Sequence, residues 1–155
     1  MITDTASIKR RLNQHRRRAL DCEALRTELE FARDKYGDVK AMSYDTVPGG
    51  KGSVGESSTE RQVYRVLELE EKVAKSEKAC EQDWAEIEPI LEGLKPTELL
   101  IIRLRYYYAA EWSDICRQVY GRKKDFETEL DSYQNKTFKM HGRALLNLAE
   151  RYRPE

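Results

Sequence analysis

The sequence predicts an all-α protein, with a long coiled-coil-like helical hairpin at residues 1–92 and a helix-turn-helix domain at 93–155. Apolar residues recur at spacings of three and four over most of the chain, the period of an amphipathic helix. Hydrophobic residues make up 39% and charged residues 36%, a balance suited to elongated helices and not to one thick core. Proline, glycine and serine then punctuate the last third at helix-length intervals.

The first helix is expected over residues 7–36, with Ser7 as a plausible cap. Ile8, Leu12, His15, Ala19, Cys22, Leu25, Leu29, Ala32 and Tyr36 lie close to one stripe, the mark of a helical hairpin or coiled-coil seam. His15 falls inside that stripe without metal-ligand partners at matching spacing, which reads as a packing or interfacial histidine. Lys9, Arg10, Arg11, Arg16, Arg17 and Arg18 make its first half basic, either a solvated face, a match for the acidic second helix, or a second nucleic-acid contact. Gly37 is expected to end it. Residues 37–59, with five glycines, Pro48 and four serines, read as a flexible loop. Gly49-Gly50-Lys51-Gly52-Ser53 lacks the preceding strand and the spacing of a phosphate loop. The second helix is expected over 59–92, capped by Ser58 or Thr59 and ended near Pro89. Its apolar stripe is Val63, Val66, Leu67, Val73, Cys80, Trp84, Ile87 and Leu91. Its glutamates are spread around the other sides, with no metal site or acid–base pair among them. The two stripes predict an antiparallel pair, within one chain or across a dimer.

In the last third, Pro96 suits a first helical position and Glu98 the first turn, where a carboxylate meets the positive end of the helix dipole. Leu100, Ile101, Leu104 and Tyr108 continue that helix. After Ala109-Ala110-Glu111, Ser113 reads as the cap of a short helix that buries Ile115, Cys116 and Val119 and is terminated by a left-handed Gly121. A final helix is expected from Asp125 to Tyr152. Phe126, Leu130, Tyr133, Met140, Ala144, Leu145, Leu148 and Tyr152 form its apolar arc, with His141 on the same side. Ser132, Lys136, Lys139 and Arg143 form the opposite stripe, with Asn135 beside it. Such a stripe is either a solvated face or an anion-reading one. The order helix, turn, short helix, glycine, basic helix is that of a helix-turn-helix DNA reader.

Leu94-Lys95-Pro96-Thr97-Glu98, Ile102-Arg103-Leu104-Arg105-Tyr106, Trp112-Ser113-Asp114-Ile115-Cys116 and His141-Gly142-Arg143-Ala144-Leu145-Leu146-Asn147-Leu148 carry a family likeness. Together they resemble the helix-turn-helix of sigma factor region four, and within it the phage and prophage regulators of the ArpU/RinA type. The resemblance covers roughly residues 94–150. The segment from Ser43 to Gly50 and the acidic helix after it are also similar to those phage proteins. The resemblance implies a transcription activator whose final helix enters the major groove of promoter-proximal DNA. Lys136, Lys139 and Arg143 would contact phosphate or guanine, and Asn135 adenine. Arg122, Lys123 and Lys124 would hold the flanking backbone. RNA polymerase is a further implied partner. The chain departs from the family at 122–131, where a compact sigma domain has a tight turn. Either the recognition helix starts earlier or a loop intervenes.

The net charge is zero but segregated. Residues 1–40 carry +3, residues 56–98 carry −6 and residues 99–155 carry +3, and local fields, not the total, attract a polyanion. No run of about 18 apolar residues predicts a membrane span, and no apolar signal core precedes the arginines. Cys22, Cys80 and Cys116, odd in number and far apart, read as reduced, buried thiols of a cytoplasmic protein; the resemblance implies that the cell is a bacterial host. Neither His15 nor His141 has a nucleophile or carboxylate at a catalytic spacing, so the expectation is a non-enzyme without metal or cofactor. Double-stranded DNA is the expected partner and a homodimer is left open. Two other functions fit the same residues: a helical adaptor binding a phage or host protein, and a DNA-packaging subunit.

Overall fold

The computed structural model describes residues 5–45 and 58–152, with side chains of residues 36–45 excepted. The protein is all-α. Helix α1 spans Thr5–Asp45 and α2 Ser58–Ile87, followed by a 3-10 turn, Glu88–Leu91. Helix α3 spans Pro96–Ile102 and runs into a π turn, Arg103–Tyr107; α4 is Trp112–Tyr120 and α5 Leu130–Ala149.

The first helix continues past Gly37 to Asp45, so residues 37–45 are helical where the composition predicts a loop. A glycine inside a helix costs only about 1 kcal/mol relative to alanine, and Val39, Lys40, Ala41 and Met42 continue the helix beyond it. The stretch Gly49–Ser53 lies outside the described residues. Helix α2 leaves α geometry two residues before Pro89, which sits inside the 3-10 turn.

The chain forms two compact units, residues 21–79 and residues 1–20 with 80–155. In the first, α1 and α2 run antiparallel: Arg26 pairs with Glu77 and Arg33 with Glu70 over a core of Leu29, Ala32, Leu69 and Val73. Leu69 takes the buried place expected for Leu67, which is exposed.

The second unit has the larger core. Ile8 and Leu12 of α1 and Trp84, Ile87 and Leu91 pack in one cluster with Ile102, Tyr106, Ala144, Leu145 and Leu148. Residues 1–20 and 80–92 thus share a compact unit with 93–155. The start of α1 and the end of α2 supply half of the apolar floor beneath α3 and α5. A buried carboxylate, Asp83, knits α1 to α2 here: Arg11 and His15 reach it at 2.7 Å and Arg18 at 3.0 Å. Burial pushes the Asp83 carboxyl up, and these partners more than offset it, holding the group below its ordinary range. His15 stacks near Trp84 and Tyr107 and is a packing histidine.

Local chemistry explains the ends of the short helices. Gly93 takes a left-handed φ of 93°, and a side chain there would strike the Arg151 guanidinium. Pro96 opens α3, where Glu98 accepts from the Lys95 backbone N–H at 3.4 Å. Ser113 is not a cap; α4 starts at Trp112, after Glu111 in extended backbone with no side-chain cap. Gly121 is not left-handed but right-handed helical, φ −60°. Space is what requires glycine there: a Cβ would collide with the Arg117 carbonyl oxygen.

Candidate nucleic-acid interface

Helix α5 starts at Leu130, five residues later than its periodicity predicts, so a connection of residues 121–129 separates α4 from α5. Of the two readings of this segment, the intervening loop is the one realised. A helix-turn-helix turn has about 3–4 residues; this one is longer and firmly anchored. Phe126 is buried with Cys116 and Tyr133, Tyr120 packs alongside, and the Tyr133 hydroxyl donates to Asp125 Oδ1 at 2.5 Å. Backbone bonds from Phe126 N to Lys123 O (3.1 Å) and from Glu129 N to Asp125 O (2.8 Å) close it into successive turns. Arg122, Lys123 and Lys124 project from this connection, all exposed.

On α5 itself, Tyr133, Thr137, His141, Ala144, Leu145 and Leu148 are buried. Ser132, Asn135, Lys136, Lys139 and Arg143 are exposed on the other side, as their spacing predicts. Leu130, expected in the apolar arc, is about a third exposed, because the helix begins there and the connection's own Phe126 joins the core instead. Thr137 joins the buried face by bonding back to the Tyr133 carbonyl at 2.8 Å.

The inner face fixes how α5 is held. The Tyr106 hydroxyl lies 2.7 Å from His141 Nε2. Burial, with Lys9 and Arg105 nearby, pushes the His141 pKa down to about 4, so the ring that shares this hydrogen bond with the phenol is neutral. Burial likewise pushes Tyr106 up to about 12. Trp112 meets both His141 and Phe138 edge-on, at 4.8 and 5.1 Å between ring centres. Asn147 donates to buried Glu98 at 3.3 Å, tying α5 to α3.

The outer face is left cationic. No carboxylate of the described residues lies within ion-pair distance of Arg122, Lys123, Lys124, Lys136, Lys139 or Arg143; the Arg and Lys pairs of this half belong to other side chains. Lys136 leans over the Tyr133 ring, 4.8 Å from its centre. The Tyr133 hydrogen bond, then the charges of Lys136 and Lys123, hold the Asp125 carboxyl low. The connection and the α5 stripe therefore converge around Asp125. Lys139 and Arg143 stand farther along the helix.

The sequence reading missed a second basic cluster, Arg16 with Arg105 and Glu111, contributed by α1, the π turn and the start of α4. Nothing in the spacing of such distant residues signals it. Among the described residues no group of His, Cys, Asp and Glu is arranged to hold a metal ion, and no helix is long and apolar enough to cross a membrane. Comparison of the chain with family models, curated proteins and solved structures gives no match.

Proposed function

We propose that the protein is a sequence-specific DNA-binding transcription regulator of the phage or prophage activator kind, acting in the cytoplasm of a bacterial host. The observation that carries the reading is the outer face of α5: exposed Ser132, Asn135, Lys136, Lys139 and Arg143, its cations with no carboxylate of the described residues within ion-pair distance, on a helix whose other face is locked into a core. A helix of 20 residues is about 30 Å long, ample for a major groove. Asn135 and Lys136, near the N-terminal half, suit base contact. Arg143 suits phosphate, and Arg122, Lys123 and Lys124 suit the flanking backbone. The protein carries out no catalysis in this reading; recruitment of RNA polymerase is part of the activator reading. Selection of bound fragments from random and phage genomic DNA by the purified protein tests it. An enriched common sequence, bound in a salt-sensitive way, is the expected result; no enrichment over input sinks it.

One observation favours a second reading, a helical adaptor or homodimer. In the unit of residues 21–79, Phe31, Tyr64 and Leu67 are all more than half exposed. A protein partner covering them would protect these side chains without requiring DNA.

A further inference from the structure

Arg16 of α1 and Arg105 of the π turn stand one on each oxygen of a single carboxylate. Arg16 Nη2 donates a long hydrogen bond to Glu111 Oε1 at 3.5 Å, and Arg105 Nη1 is 4.0 Å from Oε2, at the outer limit of ion pairing. The two arginine side chains are mostly buried, 16% and 17% exposed, whereas Glu111 is 72% exposed. Arg16 Nε is buried with no hydrogen-bond partner, a state that costs free energy unless something fills it. The same protein shows what a satisfied arrangement looks like: Asp83, almost wholly buried, takes Arg11 and His15 at 2.7 Å. At Glu111 the cations exceed the anion by one, and the anion is the solvated member.

Arg105 cannot easily turn away. Its guanidinium donates to the Ala110 carbonyl at 3.1 Å and lies over the Trp112 ring at 4.6 Å. That carbonyl follows Ala109, whose φ of 57° shapes the turn into α4. Burial and the charge of Arg16 both press the Arg105 pKa downward, the electrostatic mark of an under-neutralised pair. A tetrahedral oxyanion offers each guanidinium its own oxygens and, as a dianion, more charge than the single Glu111 carboxylate.

We propose that Arg16 and Arg105 form a phosphate-binding site in which the Glu111 carboxylate is a displaceable stand-in. Trp112 continues from this site to Phe138 on α5, next in sequence to Lys139. The phosphate is either a DNA backbone group or a free phosphate. The site does not depend on base reading by α5.

The test follows the arginine Nε–H resonances of the full chain during separate titrations with inorganic phosphate and with duplex DNA. Arg16→Met keeps the apolar stem, Arg16→Lys keeps the charge without the fork, and Glu111→Gln removes the competitor. Saturable shifts of Arg16 and Arg105 are expected, weakened on the order of tenfold in Arg16→Met and strengthened in Glu111→Gln. Shifts with DNA, and a salt slope of log K lowered by about 0.9 in Arg16→Met, assign the site to a backbone phosphate. Shifts with inorganic phosphate alone assign it to a free phosphate, whether or not DNA binds through Lys136, Lys139 and Arg143. Silence of both resonances toward both probes overturns the site even where DNA binds through α5. Should Arg16→Met not fold, Arg16→Lys and Glu111→Gln carry the same comparison, and unchanged phosphate affinity in both equally overturns it.

Discussion

Between residues 21 and 79 three arginines are matched across the helix pair. Arg26 meets Glu77 at 2.9 Å, Arg33 meets Glu70 at 3.1 Å and Arg65 pairs with Glu28, all at the surface of a narrow apolar core. In the unit of residues 1–20 and 80–155 the division of labour is reversed. Its most buried pairs meet at Asp83, and the cations of α5 and the 121–129 connection have no carboxylate within ion-pair distance among the described residues, above a core of ten buried residues. Exposed pairs contribute little to stability, roughly 0–1 kcal/mol each, and fade with salt. Unpaired surface cations stay hydrated at little cost and keep their field available to a polyanion. A net charge of zero for the whole chain conceals this contrast.

The contrast can be broken most severely by removing the part of the larger core that comes from outside residues 93–155. A fragment of 93–155 lacks Ile8, Leu12, Trp84, Ile87 and Leu91. Circular dichroism should show it largely unfolded while the full chain is folded; a fully helical, cooperatively melting fragment would mean that the two helices merely lean on it. Next in size, Trp84→Ala in the full chain should cost about 3–5 kcal/mol in chemical denaturation. The indole is buried and donates to Glu88 at 2.5 Å. A destabilisation below about 1 kcal/mol would place Trp84 outside the core.

A pH effect distinguishes the two units more finely. His141 has its folded pKa lowered to about 4 from an ordinary 6.5, so between those values the unfolded chain binds the extra proton. This stability is fully present above about pH 6.5 and falls as the pH drops toward 4, by on the order of 2–3 kcal/mol. His141→Gln should remove that part of the slope; an unaltered slope would show that the ring is solvated. Smallest of all, Glu77→Gln should change stability by at most about 0.5 kcal/mol, and by nothing measurable in 1 M salt. A change several times larger would mean that the surface pairs, not Leu29, Leu69 and Val73, hold residues 21–79 together.

Much of this is legible in the sequence because helical periodicity reports burial directly. Ile8, Leu12, His15, Cys22, Leu29 and Ala32 of the first stripe and the arc Tyr133, His141, Ala144, Leu145 and Leu148 are buried as their spacing predicts, with Ala19 and Leu25 partly buried, and the five candidate residues of α5 are exposed as theirs predicts. Punctuation is a weaker guide. Gly37 reads as a stop, yet favourable neighbours carry the helix onward, and Gly121 answers a steric demand of the Arg117 carbonyl, not a backbone angle. Phe126 fits a helical arc by spacing but is buried from a connection, because aromatic burial does not itself specify helix. The sharing of one core by residues 1–20 and 80–155 is hidden for a related reason: periodicity says that Ile8 and Leu12 are buried, not against what. Arg16 with Arg105 is invisible for the same reason, since long-range partners leave no local signature.

The central claim, that the cationic outer face of α5 meets DNA, is tested most directly by a salt-dependent binding isotherm. The comparison is between the wild-type protein and a Lys136→Ala, Lys139→Ala, Arg143→Ala variant on a selected fragment. Because these side chains are exposed, the variant should keep its circular dichroism and melting behaviour. Its binding should be abolished or reduced to a residual level, with the slope of log K against log salt smaller by about 0.9 for each phosphate that is no longer neutralised. A folded triple variant that binds the same fragment with unchanged affinity and unchanged slope would contradict the account.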